Sequence, residues 1–298
     1  AATLGSLATM QASMPRHTEP LVTLPDGERW PALGLGTWRL GEQARRKDIE
    51  AALIEHAIDI GYRLIDTAEM YGEGGAETVV GQALATTLGK PGVNRSELQI
   101  VSKFYPHHAD AAGMVRACEA SLRRLNLDTI DLYLLHWRSQ VPLAETLKGF
   151  DELRRHGRIR HWGVSNFAMA DLREMRGLKA DSKCASNQVY YSLSARGVEF
   201  DLLPWQRRRS MPLMAYCPID GGTLPRHRGL NALAQQLGIS AAQLALAWVV
   251  AQPGVIAIPK AGNLAHLVEN WQCRRIELDP RTRKSLDEMF PPPTQAQP

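Results

Sequence analysis

Cysteine is scarce in this chain and none of it is clustered. Cys118, Cys184, Cys217 and Cys273 are far apart and form no Cys-x-x-Cys pair. This excludes a disulfide framework and a cysteine zinc site, and points to buried reduced thiols in a cytoplasmic protein. The longest purely apolar run, Leu244 to Ala251, falls far short of the roughly 20 residues that cross a bilayer. Charge of one sign is lacking too: 35 basic against 31 acidic residues leave a net +4. Neither nucleic acid nor an anionic membrane is therefore expected as a partner. Residues 1–15 are uncharged and lack the basic start of a secretion signal. They read as a leader outside the fold, disordered or foreign to the native chain, with Met14 as a candidate start. No Gly-x-Gly-x-x-Gly follows the first strand, which argues against an open doubly wound sheet.

What is present is an alternation. Strand-like apolar runs end near Trp38, Asp66, Lys103, His136, Ser165, Gln188, Tyr216 and Lys260. Helical patterns separate them, as at Ile49, Leu53, Ala57 and Ile60, and at Val115, Cys118, Leu122 and Leu125. Ser240 and Gln243 form a capping-box pattern opening a helix to Ala251, and Pro253-Gly254 ends it. Strands separated by single helices imply parallel order, and about eight of them predict a single (β/α)8 TIM barrel. Two short runs around Pro25-Asp26-Gly27-Glu28 predict an N-terminal β-hairpin lid. The barrel domain is placed at residues 16–290 and a short Pro-rich tail at 291–298.

In a parallel barrel, chemistry gathers at the carboxyl ends of the strands. Asp66, Lys103 and His136 each end an apolar run, and Tyr71 follows Asp66 by one short loop. A lone strand-end Asp is more often a cap, and a lone Lys or His is usually solvated. Four complementary groups on adjacent strands read instead as a proton-transfer site. Lys103 would lower the phenol pKa of Tyr71, Asp66 would keep Lys103 charged, and His136 would orient a substrate oxygen. Such a set suits protonation of a carbonyl oxygen that gains negative charge.

The second half offers other groups. Ser165, Asn166 and Gln188 could grip a carboxamide. Tyr216 could stack on a flat ring. The loop Pro218-Ile219-Asp220-Gly221-Gly222 could turn N–H groups toward a pyrophosphate, and Lys260 could meet a phosphate. Helix capping and loop chemistry are the blander readings. Asp220 is unhelpful near a phosphate and is expected to face solvent or to pair with Arg226 or Arg228. His107-His108 is read as solvated loop rather than a metal site, and no metal is expected.

These segments resemble the aldo-keto reductases. The resemblance is carried by Gly34-Leu35-Gly36-Thr37-Trp38, Ile65-Asp66-Thr67-Ala68-Glu69-Met70-Tyr71-Gly72, Leu132 to Trp137, Gly163-Val164-Ser165-Asn166-Phe167 and Ile258-Pro259-Lys260. It runs from about Leu21 to Asn270 and is most like bacterial methylglyoxal-reductase-like members. It implies an NADP(H)-dependent enzyme reducing small aldehydes and ketones, methylglyoxal-like or aromatic. The implied catalytic residues are Asp66, Tyr71, Lys103 and His136, with Tyr71 as proton donor. Cofactor contacts are implied at Thr37, Trp38, Asp66, Ser165, Asn166, Gln188, Tyr216, Cys217, Ile219, Gly221, Lys260, Ala261, Asn263, His266, Glu269 and Asn270. Trp38, Tyr71, His136 and Trp137 would line the substrate side. The chain departs from the family at Ala261 and His266, where a Ser and a phosphate-binding Arg are usual. Neutral His has no fixed charge and no fork, so NADP preference is expected to be weaker, with NADH open and Asn263 compensating. A monomer is expected. Two alternatives remain: a cofactor-binding regulatory subunit with slow turnover, and a Schiff-base lyase using Lys103.

Overall fold

A two-stranded antiparallel hairpin, β1 (Leu21–Thr23) and β2 (Arg29–Pro31), opens the fold. The structure, a computed structural model, describes residues 19–296. The expected leader at residues 1–15 lies outside the described residues. After the hairpin come β3 (Leu35–Gly36), α1 (Lys47–Ile60), β4 (Leu64–Asp66), α2 (Gly75–Leu88), β5 (Gln99–Phe104) and α3 (Ala111–Leu125). Next are β6 (Ile130–Leu135), α4 (Leu143–Arg155), β7 (Ile159–Ser165), α5 (Met169–Gly177), β8 (Asn187–Tyr190), α6 (Leu202–Arg207) and β9 (Leu213–Tyr216). The last are α7 (Arg228–Gln236), α8 (Ala241–Val250), β10 (Val255–Ala257), α9 (Leu264–Gln272) and α10 (Pro280–Met289).

Strands β3 to β10 form one eight-stranded sheet in sequence order, and every neighbouring pair is parallel. The sheet curls until its edges meet. Parallel bridges join Leu33 to Ala257 and Gly36 to Lys260. Gly36 N–H donates to Pro259 O at 3.0 Å. A Cβ at Gly36 would lie 2.7 Å from Ile258 O, so only glycine allows this approach. The strands are mostly buried because helices cover the outside while other side chains fill the inside. All six residues of β6 are buried.

Helix α8 opens on the expected capping box, with Gln243 N–H donating to Ser240 Oγ at 3.1 Å. Helix α1 packs on the expected face at Leu53, Ala57 and Ile60, but not at its start. Its buried residues are Glu50, Ala51, Leu53, Ile54, Ala57 and Ile58, while Ile49 is 69% exposed. Ile49 precedes Ile54 by five residues, which turns it roughly 140° away from the sheet. In α3, Val115 is half-buried, and the packed face runs through Met114, Cys118, Leu122 and Leu125.

The hairpin sits at the opposite end from the strand termini that carry the polar set. Glu28 accepts from Trp30 Nε1 at 3.0 Å, Arg160 at 2.7 Å and His161 Nε2 at 2.8 Å. Arg160 and His161 lie at the amino end of β7, so the hairpin lids the floor of the sheet. Asp26, Glu28 and His161 bring ligand-type atoms within 4.8 Å of one another. Glu28 is already held by Arg160 and Trp30, so this cluster works as a latch. Among the described residues, no single helix is long and apolar enough to cross a membrane.

Candidate active site

Four side chains meet where β4, β5 and β6 end. Lys103 is fully buried, and its ammonium uses all three donors. They reach Asp66 Oδ2 at 2.8 Å, Thr67 O at 2.9 Å and Tyr71 Oη at 3.1 Å. Asp66 Oδ1 accepts from Gln188 Nε2 at 2.8 Å. Thr37 Oγ1 donates to Asp66 O at 2.9 Å, which ties the end of β3 to β4. Tyr71 begins a 3-10 turn, Tyr71–Gly74, with Gly72 at φ 58°. That left-handed step turns the chain sharply after Tyr71.

Burial opposes charge on Lys103, but Asp66 and Tyr71 outweigh it and raise its pKa. Burial also raises Asp66, against the pull of Lys103 and Gln188. A fully donating ammonium facing a carboxylate that accepts two hydrogen bonds is an ionised pair at neutral pH. Tyr71 departs from the expectation of a lowered pKa. Burial raises it, and Lys103 offsets this only in part. The phenol therefore keeps its proton.

His136 is pushed down to about 3 by burial and by the Lys103 charge, so it is neutral. Its Nδ1 is buried without a partner, which leaves Nε2 for the cavity. Its ring meets Tyr71 edge-on, with centroids 5.9 Å apart.

Asp66, Tyr71 and His136 open on a cavity of about 1090 Å³, with Lys103 buried behind them. Exposed Trp38 and Trp137 flank its mouth, with Met70 beside them. The cavity runs on past Ser165, Asn166, Gln188 and Tyr216, then along Cys217, Ile219 and Gly221 to Lys260, His266, Glu269 and Asn270. Asn166, at φ 58°, donates Nδ2 to His136 O at 3.0 Å and accepts from Tyr216 Oη at 2.7 Å. This contact fixes the Tyr216 ring against the cavity.

Residues 32–290 match the aldo/keto reductase family. The chain belongs to that family. It is 45% identical to methylglyoxal reductase YeaE of Escherichia coli (strain K12), over 88% of this chain and 92% of the relative. It is 34% identical to aldo/keto reductase slr0942 of Synechocystis, over 86% and 84%. A crystal structure of an aldo-keto reductase from Klebsiella pneumoniae in complex with NADPH superposes with a TM-score of 0.88. It is 44% identical and covers 94% of this chain and 98% of that one.

In this family member most residues singled out from sequence share one cavity, but not all. Thr37 and Ala261 are buried behind the wall. Asn263 is taken up as the cap of α9, where Oδ1 accepts from His266 N–H at 2.9 Å. Its amide nitrogen lies 3.3 Å from His266 Nδ1. Of the alternatives for Asp220 the arginine pair is not formed: its carboxylate, partly open to solvent, accepts from the Tyr190 and Ser194 hydroxyls. His108 is not free in its loop, because Nδ1 lies 2.9 Å from Glu69 Oε1. Sequence reading missed Arg39, Asn231, Gln235 and Ile239, which also line the cavity. Arg39 could have been found as the neighbour of Trp38. The others come from α7 and the turn before α8, which carry no motif.

Proposed function

We propose that this protein is an NADP(H)-dependent reductase of small aldehydes and ketones, methylglyoxal-like or aromatic. The observation that carries this reading is the buried chain from Asp66 through Lys103 to the Tyr71 hydroxyl. The cavity is large enough for a dinucleotide beside a small carbonyl compound. Bound NADPH would supply hydride to the carbonyl carbon. Ser165, Asn166, Gln188 and Tyr216 would hold the nicotinamide end, and Lys260 with His266 the far end.

The protein's own part is positioning and proton transfer. His136, being neutral, donates an N–H to the carbonyl oxygen and sets its angle. Tyr71 gives its phenolic proton to that oxygen as negative charge develops there. Lys103, 3.1 Å away, stabilises the phenolate left behind, and Asp66 keeps Lys103 charged. Trp38 and Trp137 hold the rest of the substrate at an open mouth. NADP is preferred because the relative of known structure holds NADPH and because Lys260 lines the cavity. His266, without a guanidinium fork, weakens that preference and leaves NADH usable. A lyase using Lys103 is disfavoured, because a Schiff-base lysine must be neutral and this one is held charged.

The wider reading is a closed (β/α)8 barrel domain over residues 16–290, of which 16–18 lie outside the described residues; the edge-to-edge bridges support its closure. A cytoplasmic monomer is supported by four free cysteines and by a site complete within one chain. The test is NADPH consumption with methylglyoxal and with an aromatic aldehyde, repeated with NADH. Turnover is expected with both carbonyls, and Tyr71→Phe is expected to lower it by about 100-fold or more. No turnover of any carbonyl by the wild type refutes the function; undiminished turnover by Tyr71→Phe refutes the assigned acid.

A further inference from the structure

Glu69 stands between Asp66 and Tyr71, is buried, and has no place on the cavity wall. Its Oε1 accepts the backbone N–H of Tyr105 at 2.8 Å and faces His108 Nδ1 at 2.9 Å. Its own backbone N–H donates to Lys103 O at 3.1 Å. One residue thus binds the loop after β4 to the end of β5 and the segment that follows it, by main chain and side chain together. Those are the two segments whose side chains meet at Tyr71 Oη and Lys103 Nζ. A buried carboxylate costs stability unless donors converge on it, and here two donors reach one oxygen.

We propose that Glu69 is a positioning residue that sets the Tyr71–Lys103 contact. This rests on the reading of Tyr71 as the proton donor. Glu69 touches neither substrate nor cofactor. Its carboxylate holds the loop so that the phenol stays within hydrogen-bond reach of the ammonium. Releasing the loop lets Tyr71 shift, and misplacement by about 1 Å can cost on the order of 100-fold in rate.

The experiment compares Glu69→Ala and Glu69→Gln with the wild type, each also in a Tyr71→Phe background. Turnover of methylglyoxal with NADPH is measured together with KM, and NADPH affinity is followed by fluorescence. Glu69→Ala is expected to lower kcat by roughly tenfold, with NADPH affinity unchanged within about twofold. Glu69→Gln retains an oxygen for the Tyr105 N–H and is expected to restore most of kcat. In the Tyr71→Phe background, Glu69→Ala is expected to cost less than about twofold, because the residue it places is gone. Wild-type kcat in Glu69→Ala overturns the proposal. So does an equal fold-loss in both backgrounds, or a Gln variant as slow as the Ala one. If Glu69→Ala does not fold, Glu69→Asp, which withdraws the oxygen by one methylene, is read by the same comparison of backgrounds. Undiminished turnover in Tyr71→Phe alone would instead refute the assigned acid, which keeps the two failures apart.

Discussion

The ionised pair at the centre of the site makes a strong demand on stability. Asp66→Asn keeps the shape of the side chain and removes its charge. Lys103 would then be fully buried with only neutral acceptors, Thr67 O, the Tyr71 hydroxyl and at best the new amide oxygen. Breaking a buried pair by removing one partner typically costs about 3–5 kcal/mol. An independent bound comes from letting the lysine lose its proton. Taking an ordinary lysine at about 10.4 to neutrality at pH 7 costs about 3.4 pH units, or about 4.6 kcal/mol. The two figures agree, so a loss of about 3–5 kcal/mol is expected from urea denaturation at pH 7. The sign of the pH dependence follows. A neutral folded lysine binds fewer protons than an unfolded one, so the variant regains about 1.4 kcal/mol per unit as pH rises toward 10. Asp66→Leu with Lys103→Met removes both charges and should recover most of the loss, since apolar replacement of a buried pair is often neutral. A loss below about 1 kcal/mol in Asp66→Asn would refute the ionised pair.

Other predictions rest on other parts of the molecule. His136 is held neutral down to about 3, below its ordinary 6.5, so it favours folding above 6.5 and loses that contribution as pH falls toward 3. Wild-type stability should fall by about 1.4 kcal/mol more per unit below 6.5 than that of His136→Gln, and parallel melting curves against pH would contradict this. The hairpin latch is set by Glu28, where burial raises the pKa but His161, Arg160 and Trp30 bring it below its ordinary 4.5. Its contribution is present above 4.5 and lost as pH falls through the lowered value. Glu28→Gln should lower stability by about 1 kcal/mol at pH 7 and by nothing at strongly acid pH, as read by thermal melting. At the far end of the cavity, His266→Arg should tighten NADPH binding roughly tenfold and leave NADH unchanged. Equal affinity for NADPH before and after would mean that position 266 does not face the phosphate.

The sequence by itself determined the eight strands and their order, and placed their carboxyl ends to within about three residues. Short apolar runs that alternate with helical patterns read as strands covered on both faces, and polar residues stand at or near their ends, as Asp66, Lys103 and His136 do. The tertiary structure decided what those residues do to one another. Burial is a property of the curled sheet and the helices around it, and burial keeps the proton on Tyr71, where the local pattern of Lys103 beside it had suggested the opposite. How the start of α1 packs, with Ile49 outside and Glu50 inside, depends on a neighbour that local periodicity does not contain. The partners of Asp220 lie 26 and 30 residues away in the chain, and the carboxylate of Glu69 reaches across 36 to Tyr105. Such contacts come from strands placed side by side, which no window of sequence displays.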